Sequence, residues 1–193
     1  MTKHFILIAA ILFTATAHAS DAPARSEQQA AIWTALKNGG HVVLLRHAAT
    51  VPGIGDPPGY KLNDCKTQRN LSDAGREQSR AWGNAFVRYN IPVGGVFSSA
   101  WCRCIDTAQL AFGKVDTWPA LNSHFDSPQS ASLQAEQTRG GIQVRMQKGK
   151  NLVLVTHQVN ITMLSGRSPA VGEAMIMRHD GNAWQLVGQL NVE

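Results

Sequence analysis

What the 193-residue chain lacks narrows the reading first. It has only three cysteines, Cys65, Cys102 and Cys104, and a two-residue separation within such a trio matches no common zinc-ligand spacing. Its arginines are scattered rather than gathered into a basic block, which argues against a nucleic-acid-binding arm. No internal repeat and no low-complexity segment is present, so a solenoid or a tail is not expected. Past the N-terminus no apolar run approaches the roughly 20 residues needed to span a bilayer, and no stable membrane anchor is expected.

The N-terminus itself has a clear pattern. Met1-Thr2-Lys3-His4 is a short basic start, Phe5 to Ala15 is apolar, and Ala17-His18-Ala19 offers a small-residue cleavage site. This pattern reads as a secretory signal peptide over residues 1–19. The remaining residues 20–193 suffice for a single domain, and the mature protein is expected in the periplasm or secreted. A formal charge of +5 in an exported protein points to anionic small molecules or surfaces as partners. An oxidising compartment favours one disulfide. Cys102 and Cys104 fall on one predicted helix, where residues two apart do not face each other. Cys65 is therefore expected to pair with one of them, Cys102 in preference.

Helical and strand patterns alternate along the chain. Ser26-Glu27-Gln28-Gln29 resembles a capping box opening a helix that stops at Asn38-Gly39-Gly40. Val42-Val43-Leu44-Leu45 reads as a short strand buried on both faces. A Pro/Gly-rich loop follows from Val51 to Gln68, and Ser72 caps a helix striped by Ala74, Ala81, Trp82, Ala85, Phe86 and Tyr89. Val93 to Phe97 and Asn151 to Val155 are two further buried strands. Helices are expected over about Ala100 to Phe112 and Leu133 to Gln147, with a short strand at Val115 to Trp118. Asp180-Gly181 is the signature of a two-residue hairpin. The order predicts an α/β fold, a three-layer sandwich with a largely parallel central sheet flanked by helices and a C-terminal β-hairpin.

Three buried strands then end in polar residues: Arg46-His47, Ser98-Ser99 and Thr156-His157. Ligands of open α/β sheets bind outside such carboxyl ends. With Arg46 beside one histidine and Arg103 on the helix after the second strand, two guanidinium forks would flank two imidazoles. That pocket suits phosphate, whose oxygens guanidinium groups bind bidentately.

At these residues the chain resembles a known family. Leu45-Arg46-His47-Ala48 is similar to the Arg-His-Gly signature of the histidine phosphatase superfamily, with Ala48 in place of the glycine. Asn70 to Gln78 resembles the helix opening that follows it, Ser98 to Ala108 the second-arginine segment, and Val155-Thr156-His157 the second histidine. The resemblance implies a phosphomonoesterase in which His47 becomes a phosphohistidine while Arg46, Arg103 and His157 hold the phosphoryl oxygens. Neither metal nor other cofactor is implied, because these groups supply the positive charge. Asn70 and Asn160 are candidate neutral substrate contacts, and Arg69 is a candidate contact to further anionic groups. The family's usual glutamate acid is missing: Leu121-Asn122-Ser123-His124-Phe125 resembles its segment, with Ser123 at the acid position. Candidate proton donors are then Asp126, Asp56 and Asp64, and His124 is a candidate rim residue. The loop after His47, together with the N-terminal pattern, resembles the exported branch that includes a lipopolysaccharide-core heptose phosphatase, so a phosphorylated small molecule or cell-surface glycan is the expected partner. The competing expectation is a non-catalytic module that binds phosphate or a phosphoglycan through the same pocket.

Overall fold

A computed structural model of the protein describes residues 22–192; the expected signal peptide lies outside the described residues. The elements run α1 (Ala22–Lys37), β1 (Val42–Arg46), α2 (Asp73–Arg88), β2 (Val93–Ser98), α3 (Cys102–Phe112), β3 (Asp116–Thr117), α4 (Ala131–Arg145), β4 (Asn151–Thr156), α5 (Gln158–Ser165), β5 (Ala174–His179) and β6 (Trp184–Leu190). One six-stranded sheet has the order β3-β2-β4-β1-β5-β6. The first four strands of that order are parallel, and β5 and β6 add antiparallel at the β1 edge. This is the expected α/β sandwich with its C-terminal hairpin.

Alternation along the strands explains the three layers. Val43, Leu45, Val153 and Val155 face one core, with Trp33, Leu36, Trp82, Phe86 and Ala108 from α1, α2 and α3. Val42, Leu44, Leu152 and Leu154 face the other, with Ile142 of α4 and Ile161 of α5. A sheet covered on both faces needs apolar side chains at every position, which is why these strands read as unbroken aliphatic runs. Helix α2 starts where the Ser72 side chain accepts the Gly75 N–H at 3.1 Å. It lies close to its neighbours: a Cβ on Gly75 would stand 1.9 Å from the Ala49 oxygen, and one on Gly83 2.2 Å from the Ala111 oxygen.

Two local expectations are corrected. Helix α1 begins at Ala22, so Ser26 lies inside it rather than at its cap; the Ser-Glu-Gln-Gln pattern is equally compatible with a helix interior, and Pro23 falls in the first turn, where a missing N–H is tolerated. The final hairpin pairs His179 with Trp184, leaving a four-residue connection instead of two. There the Asp180 carboxylate accepts the backbone N–H groups of Asn182 and Ala183 at 2.9 and 2.8 Å, an Asx turn that widens the loop.

The register positions the functional strand ends. Arg46 of β1 pairs with Thr156 of β4, and Ser98 of β2 with Val155. The His47 N–H donates to the Thr156 carbonyl, and the Ser99 N–H to that of Val155, each at 3.0 Å. His47, Ser99 and His157 therefore leave the sheet side by side.

Candidate active site

His47 is the first residue past β1 and is buried. Its Nδ1 lies 2.9 Å from the Ala48 carbonyl oxygen. A carbonyl can only accept, so Nδ1 carries the proton and Nε2 keeps its lone pair. Burial, with Arg103, Arg46 and Arg69 adding to it, pushes this imidazole down to about 3, and the ring is neutral at physiological pH. Ala48 is fully buried. Its N–H donates to Thr107 Oγ1 at 3.0 Å, and that hydroxyl donates to the Arg103 carbonyl at 2.7 Å, coupling the two halves of the site.

His157, at the start of α5, packs its ring edge-on to His47 with centroids 5.5 Å apart. Its Nε2 meets Ser99 Oγ at 2.8 Å and the buried Cys104 thiol at 3.5 Å. Burial foremost, then His47 and Arg103, holds this ring well below the ordinary imidazole range. The indole of Trp101 covers it, with centroids 5.1 Å apart. Burial raises the Cys104 thiol to about 12, so it stands as a protonated thiol.

The cationic groups come from three segments. Arg46 anchors one nitrogen on the Pro169 carbonyl at 2.9 Å. Arg103, on the first turn of α3, is 5% exposed. Arg69 donates through Nε to the Gly55 carbonyl at 2.7 Å and through Nη1 to Thr50 Oγ1. Burial and then Arg69 lower the pKa of Arg46, while burial and then Arg103 lower that of Arg69, as expected for like charges gathered in one cleft. The Nε atoms of Arg46 and Arg103 are buried without a hydrogen-bond partner.

Asp56, in the long loop after β1, accepts from Arg103 Nη1 at 2.8 and 3.1 Å, from Trp101 Nε1 at 2.9 Å and from the Arg69 N–H at 2.9 Å. Burial alone would raise its pKa, but these donors, Arg103 first, hold the carboxyl below its usual range. Asp56 is therefore an ionised partner of Arg103. The Cys65–Cys102 disulfide forms as expected and ties this loop to the start of α3; Gln68 reinforces it by accepting the Cys102 N–H at 2.9 Å.

Arg46, His47, Arg69, Arg103, His157 and Asp126 line one open cleft of about 450 Å³, with Asp56 at its wall. Tyr60 stands beside both carboxylates, its phenol pushed up by burial, then by Asp126 and Asp56. Other candidates lie elsewhere. Asp64 caps the 3-10 turn Cys65–Thr67 by accepting the Lys66 N–H. Asn70 donates to the Cys65 carbonyl at 2.6 Å, and Asn160 to that of Asn122 at 2.8 Å. His124 is buried beside Asn160 rather than on the rim. Ser99 was visible as a polar strand end but had no role assigned, and Trp101, Thr107 and Asn122 lay within the segments that resemble the family without being singled out; Asn122 Oδ1 accepts the Ala100 N–H at 2.8 Å.

Residues 42–127 match the model of the histidine phosphatase superfamily, branch 1. That segment is similar to the superfamily. It contains Arg46, His47, Asp56, Arg69, Arg103 and Asp126, and His157 joins them from beyond it. No curated protein matches the sequence. Among solved structures, the chain is similar to a mycobacterial glucosyl-3-phosphoglycerate phosphatase complexed with VO3, at 16% identity and TM-score 0.60, over 80% of this chain and 100% of that one. It is also similar to the protein histidine phosphatase SixA complexed with tungstate, at 14% identity and TM-score 0.54, over 78% of this chain and 96% of that one. A phosphoserine phosphatase variant from Entamoeba histolytica in complex with phosphoserine aligns at 13% identity and TM-score 0.54, over 77% of this chain and 95% of that one. The six-stranded sheet with its flanking helices thus matches the phosphoglycerate mutase-like fold.

Proposed function

We propose that the protein is an exported phosphomonoesterase that works through a phosphohistidine on His47. One observation carries this reading: a neutral imidazole, its Nδ1 proton committed to the Ala48 carbonyl, lines a cleft with Arg46, Arg69 and Arg103. In the first step Nε2 attacks phosphorus, the bond to the ester oxygen breaks, and Asp126 acts as the general acid that delivers a proton to the leaving oxygen. In the second, water attacks the phosphohistidine, Asp126 takes a proton from it, and inorganic phosphate departs with His47 neutral again. Covalent capture splits one difficult displacement into two easier ones. The arginines and His157 meet the charge on the equatorial oxygens. The partnerless Nε atoms of Arg46 and Arg103 are donors that a phosphate would satisfy. Asp126 is assigned as the acid because Asp56 is held ionised and Asp64 is committed to its cap. Export rests on the N-terminal pattern, and a surface-glycan substrate on the sequence resemblance.

His47→Ala should lower phosphate release from 4-nitrophenyl phosphate by several orders of magnitude, without response to a chelator, and abolish the alkali-stable phosphoryl label trapped on the wild-type protein. Asp126→Asn should cut turnover of alkyl phosphates by about 100-fold or more and affect 4-nitrophenyl phosphate far less, because that leaving group departs without a proton. Vanadate binding with neither turnover nor label would establish a phosphate-binding module instead.

A further inference from the structure

The mouth of the cleft differs in character from its floor. Ile54 is 95% exposed, Phe125 62% and Val171 39%, yet all three line the same cleft as the arginines, together with half-buried Val159. They come from three separate segments: the loop after β1, the stretch after β3, and the turn before β5. Ile54 is not on a loose tip. The next residue's carbonyl is held by Arg69 and the one after, Asp56, is bonded to Arg103, Trp101 and the Arg69 N–H. Phe125 is fixed in a turn closed by its own N–H to Ser123 Oγ at 3.2 Å and by the Ser127 N–H to the His124 carbonyl at 3.0 Å. An isolated exposed aliphatic needs no explanation, but several converging on one opening mark a binding site.

We infer that the substrate is a phosphomonoester whose leaving alcohol carries an apolar group, seated between Ile54, Phe125 and Val171 while its phosphate lies on the arginines. The inference rests on the phosphatase reading for its chemistry but not for its binding geometry. Charge complementarity fixes which end goes in: three guanidinium groups at the floor take the dianion, so the alcohol portion must pass the apolar rim. A bare polyhydroxyl group would find fewer partners there, because Asp56 is already bonded, Ser123 Oγ accepts the Phe125 N–H and the Gln158 amide donates to Ser168 Oγ at 2.6 Å, so a glycan substrate would have to bring an apolar group to this rim.

Binding and turnover test this separately on the full mature chain. Hexylphosphonate should bind on the order of 100-fold more tightly than methylphosphonate by titration calorimetry, with a more negative heat-capacity change, as several methylenes leave water. In Ile54→Ser/Phe125→Ser that ratio should shrink by about 10-fold. In turnover, hexyl phosphate should exceed glucose 6-phosphate in kcat/KM. Equal affinities for the two phosphonates, a ratio unmoved by the double variant, or preference for glucose 6-phosphate would overturn the inference. Absence of turnover with the phosphonate preference intact would overturn the phosphatase reading alone.

Discussion

At the residue scale, the Arg103–Asp56 pair is the most consequential contact of the site. Both side chains are only 6% exposed, so each charge depends on the other for compensation, and removing one partner of such a pair typically costs about 3–5 kcal/mol. The carboxylate also lowers the positive potential that a phosphate would meet. Asp56→Asn is therefore expected to act in two directions. Stability without ligand should fall by about 3 kcal/mol, and inorganic phosphate should then stabilise the variant more than the wild type, because the anion replaces the lost counter-charge and binds the native state alone. Urea denaturation with and without phosphate checks this. An equal phosphate effect in both proteins would mean that Asp56 only positions Arg103 and does not oppose anion binding.

At the scale of elements, the loop between β1 and α2 carries Ile54, Asp56 and Arg69 into the site, and the Cys65–Cys102 bridge closes a 37-residue separation across it. Cross-linking a segment of that length stabilises by about 4 kcal/mol in the chain-entropy account. Replacing both cysteines by alanine should lower stability by up to that amount and raise KM more than it lowers kcat, since Arg46 ends β1 and His47 follows it directly, held to β4 by its N–H on the Thr156 carbonyl; an unchanged KM would show that the loop holds its position without the bridge. This loop also shows where sequence reading stops. The aliphatic runs of β1 and β4 were legible because a doubly covered strand has one composition, and His47, Arg46, Arg103 and His157 were legible because they end strands or open a helix. Asp56 was visible as a carboxylate but not as the partner of Arg103, since that bond spans 47 residues. Ser99 against His157 spans 58 and Thr107 against Ala48 spans 59. Such contacts are set by sheet register and by the packing of α3, which no local pattern encodes. The starts of α1 and of the last hairpin strand were misplaced for the opposite reason: the local signals at Ser26 and Asp180-Gly181 suit more than one backbone arrangement.

At the scale of the whole molecule, the fold keeps three imidazoles neutral inside it. His47 and His157 line the cleft, and His41 lies at the opposite end of β1, its Nδ1 2.9 Å from the Gly39 carbonyl oxygen and its N–H bonded to Asn151. Burial lowers the His41 pKa from its ordinary value, that of His47 to about 3 and that of His157 well below normal. Because the folded values lie below the unfolded value of about 6.5, the unfolded chain takes up protons that the folded one refuses as pH falls. The associated stability is complete above about pH 6.5 and is lost on the way down towards 3. His47 alone contributes about 1.4 kcal/mol per pH unit in that window, and His157 and His41 act in the same direction, so urea denaturation should show a loss of more than about 1.4 kcal/mol between pH 7.5 and 5.5. Asp56, with its lowered pKa, extends the loss below the usual carboxylate range. Catalysis should follow a different profile. With His47 neutral down to about 3, the acid limb of kcat/KM should track the second ionisation of each phosphate ester rather than a histidine near 6.5. A limb fixed near 6.5 for esters of different acidity, together with flat stability over the same range, would mean that these rings bind protons within the fold and that burial does not keep the nucleophile neutral.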